Sequence, residues 1–173
     1  EVLDLIFRAF CEPKADNVII LPPTYGMYKV LANINNIEEK EVLLTDDFQP
    51  VVKDILNTAD ENSKILFLCS PNNSTGNSVS INAVEELLRK FNGLVVIDEA
   101  YIDFADAESW LTKLDEFNNL IVTQTFSKAY GLAGARVGYL LGNSKLINQF
   151  KSIAMPFNLN RLSLQLVTRA LEN

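Results

Sequence analysis

Short, uniformly apolar runs alternate along this chain with longer stretches whose apolar residues recur at helical spacing. The runs at 18–21, 41–44, 65–69, 94–98, 120–124 and 136–141 predict strands, because they are rich in β-branched and aliphatic residues and lack the polar alternation of a sheet with one wet face. Helices are predicted over 1–12, 24–33, 50–58, 81–91, 107–116, 144–153 and 161–173 from apolar positions three and four apart. Strand and helix in alternation imply an α/β fold with three αβα layers: a mostly parallel sheet with helices on both faces. The chain opens and closes inside helical patterns and begins with Glu1, so a piece of a longer protein is expected. No internal repeat or linker-like stretch interrupts it.

In an open parallel sheet, ligand chemistry collects beyond the carboxyl ends of the strands. Four predicted strands lead directly into polar or aromatic segments: Pro22-Pro-Thr-Tyr-Gly-Met-Tyr28, Ser70-Pro-Asn-Asn-Ser-Thr-Gly76, Asp98-Glu-Ala-Tyr101 and Thr125-Phe-Ser-Lys-Ala-Tyr-Gly131. Composition narrows the partner. With 173 residues, 48% hydrophobic and 21% charged, one domain with a sizeable core is expected. A net charge of −7 argues against nucleic acid or an anionic membrane surface and for a small molecule or another protein. No apolar run approaches the roughly 20 residues of a membrane span and no secretory signal opens the chain, so no membrane partner and a cytoplasmic location are expected.

The chain has no histidine, which excludes Ser-His-Asp and Cys-His catalysis and His-ligated zinc. Proton transfer then falls to Lys, a carboxylate, Tyr or a cofactor. Cys11 and Cys69, far apart and in apolar surroundings, read as reduced core thiols; no metal site is expected. Neither the Gly-x-Gly-x-x-Gly signature of dinucleotide folds nor the Gly-Lys-Ser/Thr of P-loops is present.

Asp98-Glu-Ala-Tyr101, with Lys128 in Thr-Phe-Ser-Lys thirty positions after the Asp and Arg136 eight further on, resembles the fold-type I pyridoxal phosphate enzymes of the aspartate aminotransferase superfamily. Together with Pro-Pro-Thr-Tyr-Gly-Met-Tyr and Ser-Pro-Asn-Asn-x-Thr-Gly, the set is similar to the histidinol-phosphate aminotransferase family. The resemblance covers essentially the whole chain. It implies the large, pyridoxal 5'-phosphate-binding domain, incomplete at 1–173, with 136–141 as an antiparallel strand. The glycine-led phosphate loop and the small domain would lie outside, so that the chain alone is expected to fold without turning over. An amino donor and a 2-oxo acid as substrates and a homodimer, with Tyr25 and 158–160 toward the interface, are also implied.

The resemblance assigns roles residue by residue. Lys128 would bind the cofactor aldehyde and then move a proton at the substrate Cα. Asp98 would pair with the pyridinium nitrogen. Tyr101 and Asn73 would donate to the phenolate oxygen, and Tyr25 would stack on the ring. Arg136 and Ser127, with Thr125 as a weaker member, would hold the phosphate. Tyr28 reads as core or rim, and Glu99 and Asp103 as solvated or structural carboxylates. Ser74 departs from the family, which has proline there. Two other readings remain: another reaction of the same cofactor, such as decarboxylation of a phosphorylated amino acid, and a cofactor-binding or dimerising fragment without turnover.

Overall fold

The computed structural model describes residues 1–172. Six strands, β1 (Asn17–Ile20), β2 (Glu38–Glu41), β3 (Ser63–Cys69), β4 (Leu94–Asp98), β5 (Leu120–Thr125) and β6 (Gly138–Gly142), form one sheet in the order β2-β1-β3-β4-β5-β6. Every neighbouring pair is parallel except β5 and β6, which run antiparallel. Six helices cover it: α1 (Val2–Phe10), α2 (Met27–Ile34), α3 (Val52–Thr58), α4 (Ile81–Lys90), α5 (Ser144–Ile153) and α6 (Arg161–Leu171).

The central strands are mostly apolar because both of their faces are buried. Ile19, Leu66, Leu68, Val95, Ile97, Leu120 and Val122 pack on one side with residues of α3 and α4. Their neighbours Val18, Ile20, Ile65, Phe67, Val96 and Ile121 face α1, α2 and α5 on the other. In α4 the buried positions Val84, Leu87 and Leu88 make the core stripe, while Glu85–Arg89 and Glu86–Lys90 pair along the solvent side. The Asn143 and Asn160 side chains cap α5 and α6 by accepting from their first-turn amides.

Several predicted elements differ from the structure in kind or in bounds. The helix predicted at 107–116 is only a 3₁₀ turn, Trp110–Lys113. Its entry is captured by Glu99, which accepts from Ser109 Oγ at 2.6 Å and from the Trp110 amide at 2.7 Å, and Trp110 and Phe117 anchor the segment in the core. The second strand pairs regularly over Glu38–Glu41 rather than 41–44. It is an edge strand, and its half-buried Glu39 and Lys40 meet Lys29 and Asp60; beyond it only single amide bonds, Val42 to Ile20 and Leu44 to Pro22, continue the ladder. Helix α2 begins at Met27, three residues late, because Pro22 to Gly26 form the turn that leaves β1. Helix α6 ends at Leu171; Asn173, included in the predicted helix, lies outside the described residues.

Candidate active site

The strand order reverses at β1: β2 lies on one side of it and β3 on the other. Such a switch point opens a crevice at the carboxyl edge of the sheet. Here a cleft of about 280 Å³ is lined from the ends of β1, β3, β4 and β5, and all eight sequence-predicted residues, Tyr25, Asn73, Asp98, Tyr101, Thr125, Ser127, Lys128 and Arg136, border it. The first residues of α1, together with Asn158 and Leu159 before α6, complete its wall.

Asp98 closes β4 and is 6% exposed. Its Oδ2 accepts from Tyr28 Oη at 2.9 Å and its Oδ1 from the Ala100 amide at 3.2 Å. The Thr123 hydroxyl stands close enough to favour the charged carboxylate but has no hydrogen bond of good geometry, and is left without a partner inside the cleft. Burial raises the Asp98 pKa above its ordinary value, and the three neutral donors offset only part of that shift. No ion pair is formed by Asp98 among the described residues.

Tyr28 is wholly buried, sandwiched on Phe67 with ring centroids 4.7 Å apart, and its hydroxyl is pushed well above the usual range by burial and by Asp98. The reading of Tyr28 as core was incomplete, since the same side chain touches Asp98. The available signal was its spacing three residues after Tyr25, which places both rings at the start of α2, edge to face at 5.6 Å.

The same cleft is bordered by two cations, Lys128 and Arg136. Lys128 Nζ stands over the Tyr101 ring at 5.1 Å. Arg136 is held with φ of 56°, in the left-handed region that costs a non-glycine residue about 1–3 kcal/mol, and its Nη1 donates to Ala133 O at 3.0 Å. In the same cleft Thr125 Oγ1 and Ser127 Oγ are 3.0 Å apart, and the Ser127 amide donates back to Thr125 Oγ1. Asn73 is fixed through its amide, which donates to Cys69 Sγ at 3.4 Å. Both thiols lie deep in their normally protonated range: burial pushes Cys69 up to about 11 and Cys11 up to about 12. Cis peptide bonds precede Pro23 and Pro71.

Of the two carboxylates left as solvated or structural, Glu99 is structural. It is 1% exposed and accepts from Ser109, Trp110 and Gln124, tying the 102–110 segment to β5. Asp103 is exposed.

This donor set fits a flat, protonated ring carrying an anionic arm. One cleft is lined by a buried carboxylate without a cation, by two exposed cations, by a pair of hydroxyls and by the Tyr25 and Tyr101 rings. Fold and cleft together make the carboxyl edge of the sheet the candidate site for such a group. The chain belongs to the aminotransferase class I and II family, whose profile matches residues 1–173. Among curated relatives, the histidinol-phosphate aminotransferase of Flavobacterium johnsoniae is 62% identical over 165 residues, covering 95% of this chain and 47% of that protein. The chain spans about half the length of the curated relatives it matches. Among solved structures, histidinol-phosphate aminotransferase from Sinorhizobium meliloti in complex with pyridoxal-5'-phosphate superposes with a TM-score of 0.89 at 28% identity, over 99% of this chain and 47% of that one. Aspartate aminotransferase from Thermotoga maritima gives 0.90 at 25% identity, over 99% and 48%. Among the described residues, no helix is long and apolar enough to cross a membrane.

Proposed function

We propose that residues 1–173 form the pyridoxal 5'-phosphate-binding domain of an aminotransferase that exchanges an amino group between histidinol phosphate and 2-oxoglutarate in histidine biosynthesis. The observation that carries the reading is Asp98, buried with neutral donors only, in the same cleft as the exposed cations Lys128 and Arg136. The 62% identical relative supports the substrate assignment, and makes decarboxylation or a catalytically silent fragment the weaker reading.

When bound, the cofactor supplies an electron-accepting ring for chemistry at the substrate Cα. Asp98 would accept a hydrogen bond from the ring nitrogen and so keep its proton in place. Tyr28 keeps Oδ2 of that carboxylate directed. Tyr101 and Asn73 would donate to the phenolate oxygen, and Tyr25 would cover one ring face. Arg136, Ser127 and Thr125 would bind the phosphate. Lys128 would carry the cofactor and, with its amine free, would hold and return the proton at the substrate Cα. The lack of histidine leaves Lys128 as the basic side chain best placed for this transfer. The amino donor and 2-oxo acid use the same site in turn, in a cytoplasmic homodimer.

Incubating the full-length protein with pyridoxal phosphate, reducing with borohydride and mapping peptides is expected to place the label on Lys128. Label on a different lysine overturns the assignment. Release of carbon dioxide from a phosphorylated amino acid, without turnover dependent on 2-oxoglutarate, would select the decarboxylase reading.

A further inference from the structure

We infer that Asn72, which precedes the ring-binding Asn73, is a positioning residue whose carboxamide clamps the turn carrying Tyr25 to the turn carrying Asn73. The inference rests on the cofactor reading above.

The two turns leave different strands, β1 and β3, and no ladder joins them beyond the strand ends. Asn72 lies between them, 5% exposed, and every polar atom it has is used. Its Oδ1 accepts from Thr24 Oγ1 at 3.0 Å, and its Nδ2 donates to Pro23 O at 2.9 Å, so both arms of the amide grip the turn that presents Tyr25. The second Nδ2 proton goes to Thr75 Oγ1 at 2.7 Å, within its own turn. The Asn72 amide donates to Asn77 O and its carbonyl accepts from the Gly76 amide, both at 2.8 Å, which closes that turn around Asn73. Thr75 in turn bonds Asn77 Oδ1, and Asn77 Nδ2 reaches Phe48 O at 3.0 Å.

The amide cannot be reversed, because Pro23 O accepts only and needs the NH₂ group facing it. Aspartate would set an oxygen against that carbonyl, and alanine would leave Pro23 O and Thr24 without the partner they have here. Asn72 therefore fixes the distance between a ring face and a phenolate donor without touching either group itself.

Cofactor affinity and the visible circular dichroism of the bound cofactor, measured on the full-length protein, test this. Asn72→Ala is expected to weaken pyridoxal phosphate binding about tenfold, the effect of breaking a buried hydrogen-bonded amide, and to reduce the dichroic band. In a Tyr25→Ala/Asn73→Ala background the same change is expected to alter affinity by less than about twofold, because the groups it positions are gone. An equal loss in both backgrounds overturns the inference and makes Asn72 a general stabiliser. Thr24→Val removes only the donor to Oδ1, and serves if Asn72→Ala does not fold. It is expected to weaken binding about threefold with a smaller dichroic change; unchanged affinity and spectrum overturn the inference. Wild-type protein that binds no pyridoxal phosphate removes the cofactor reading and the inference with it, whereas wild-type binding with indifferent variants removes the inference alone.

Discussion

A carboxylate buried without a cation opposes folding, and Asp98 is in that position until something positive arrives. Its pKa is raised from 3.8 mainly by burial, so its contribution to stability is fullest below that unfolded value and is lost as pH rises through the folded one. Asp98→Asn is therefore expected to leave the cofactor-free protein as stable as wild type at neutral pH or more so. The difference should narrow toward about pH 4, read from thermal melts across that range. The same variant should lose about 10²–10³ in turnover, because the ring nitrogen loses its charged partner. Tyr28→Phe acts in the opposite sense. It removes a donor that favours the ionised form, so it is expected to cost about 1–3 kcal/mol, more at neutral than at acid pH, in urea denaturation of the cofactor-free protein. A pH-independent loss would mean that Tyr28 stabilises by packing on Phe67 alone.

Elements whose signal is local were legible in the sequence. Strand β4 and helix α5 occupy the predicted residues, since one is an unbroken apolar run ended by Asp98 and the other starts at a capping Asn143 and carries a plain helical stripe. The 107–116 segment misled because its apolar spacing is real, yet its first amide donates to Glu99, a partner that only the folded sheet supplies. Strand β2 shifted because an edge strand tolerates the charged run Glu38-Glu-Lys-Glu41 that sequence patterning reads as loop. Close approach of elements also escapes patterning. At Gly93, just before β4, an added Cβ would stand 2.4 Å from the Lys64 carbonyl of β3. Gly93→Ala is expected to lower stability by about 1–3 kcal/mol in urea denaturation, through displaced backbone rather than lost flexibility.

Across the whole molecule, the sheet order brings the ends of β1, β3, β4 and β5 to one crevice. The eight residues that the resemblance picks out meet there because that edge is where a parallel sheet exposes its loops. What stayed hidden were the partners between those loops, Tyr28 on Asp98 and Asn72 on the β1 turn, because neither contact has a signature at short range. The proposed homodimer is testable at this scale: the full-length protein is expected to sediment as a dimer at micromolar concentration, and a strict monomer would count against it. The antiparallel β5–β6 pair also bears on how the site assembles in time. Lys128 and Arg136 both belong to the twelve residues that connect Thr125 to its partner Gly138, so the cationic side is closed by one short loop. The Tyr28–Asp98 bond joins positions 70 apart and waits on three neighbouring strands. Since loop closure grows costlier with length and nonlocal pairing is slow, a refolding chain is expected to close the hairpin carrying Lys128 and Arg136 before the Tyr28–Asp98 bond forms.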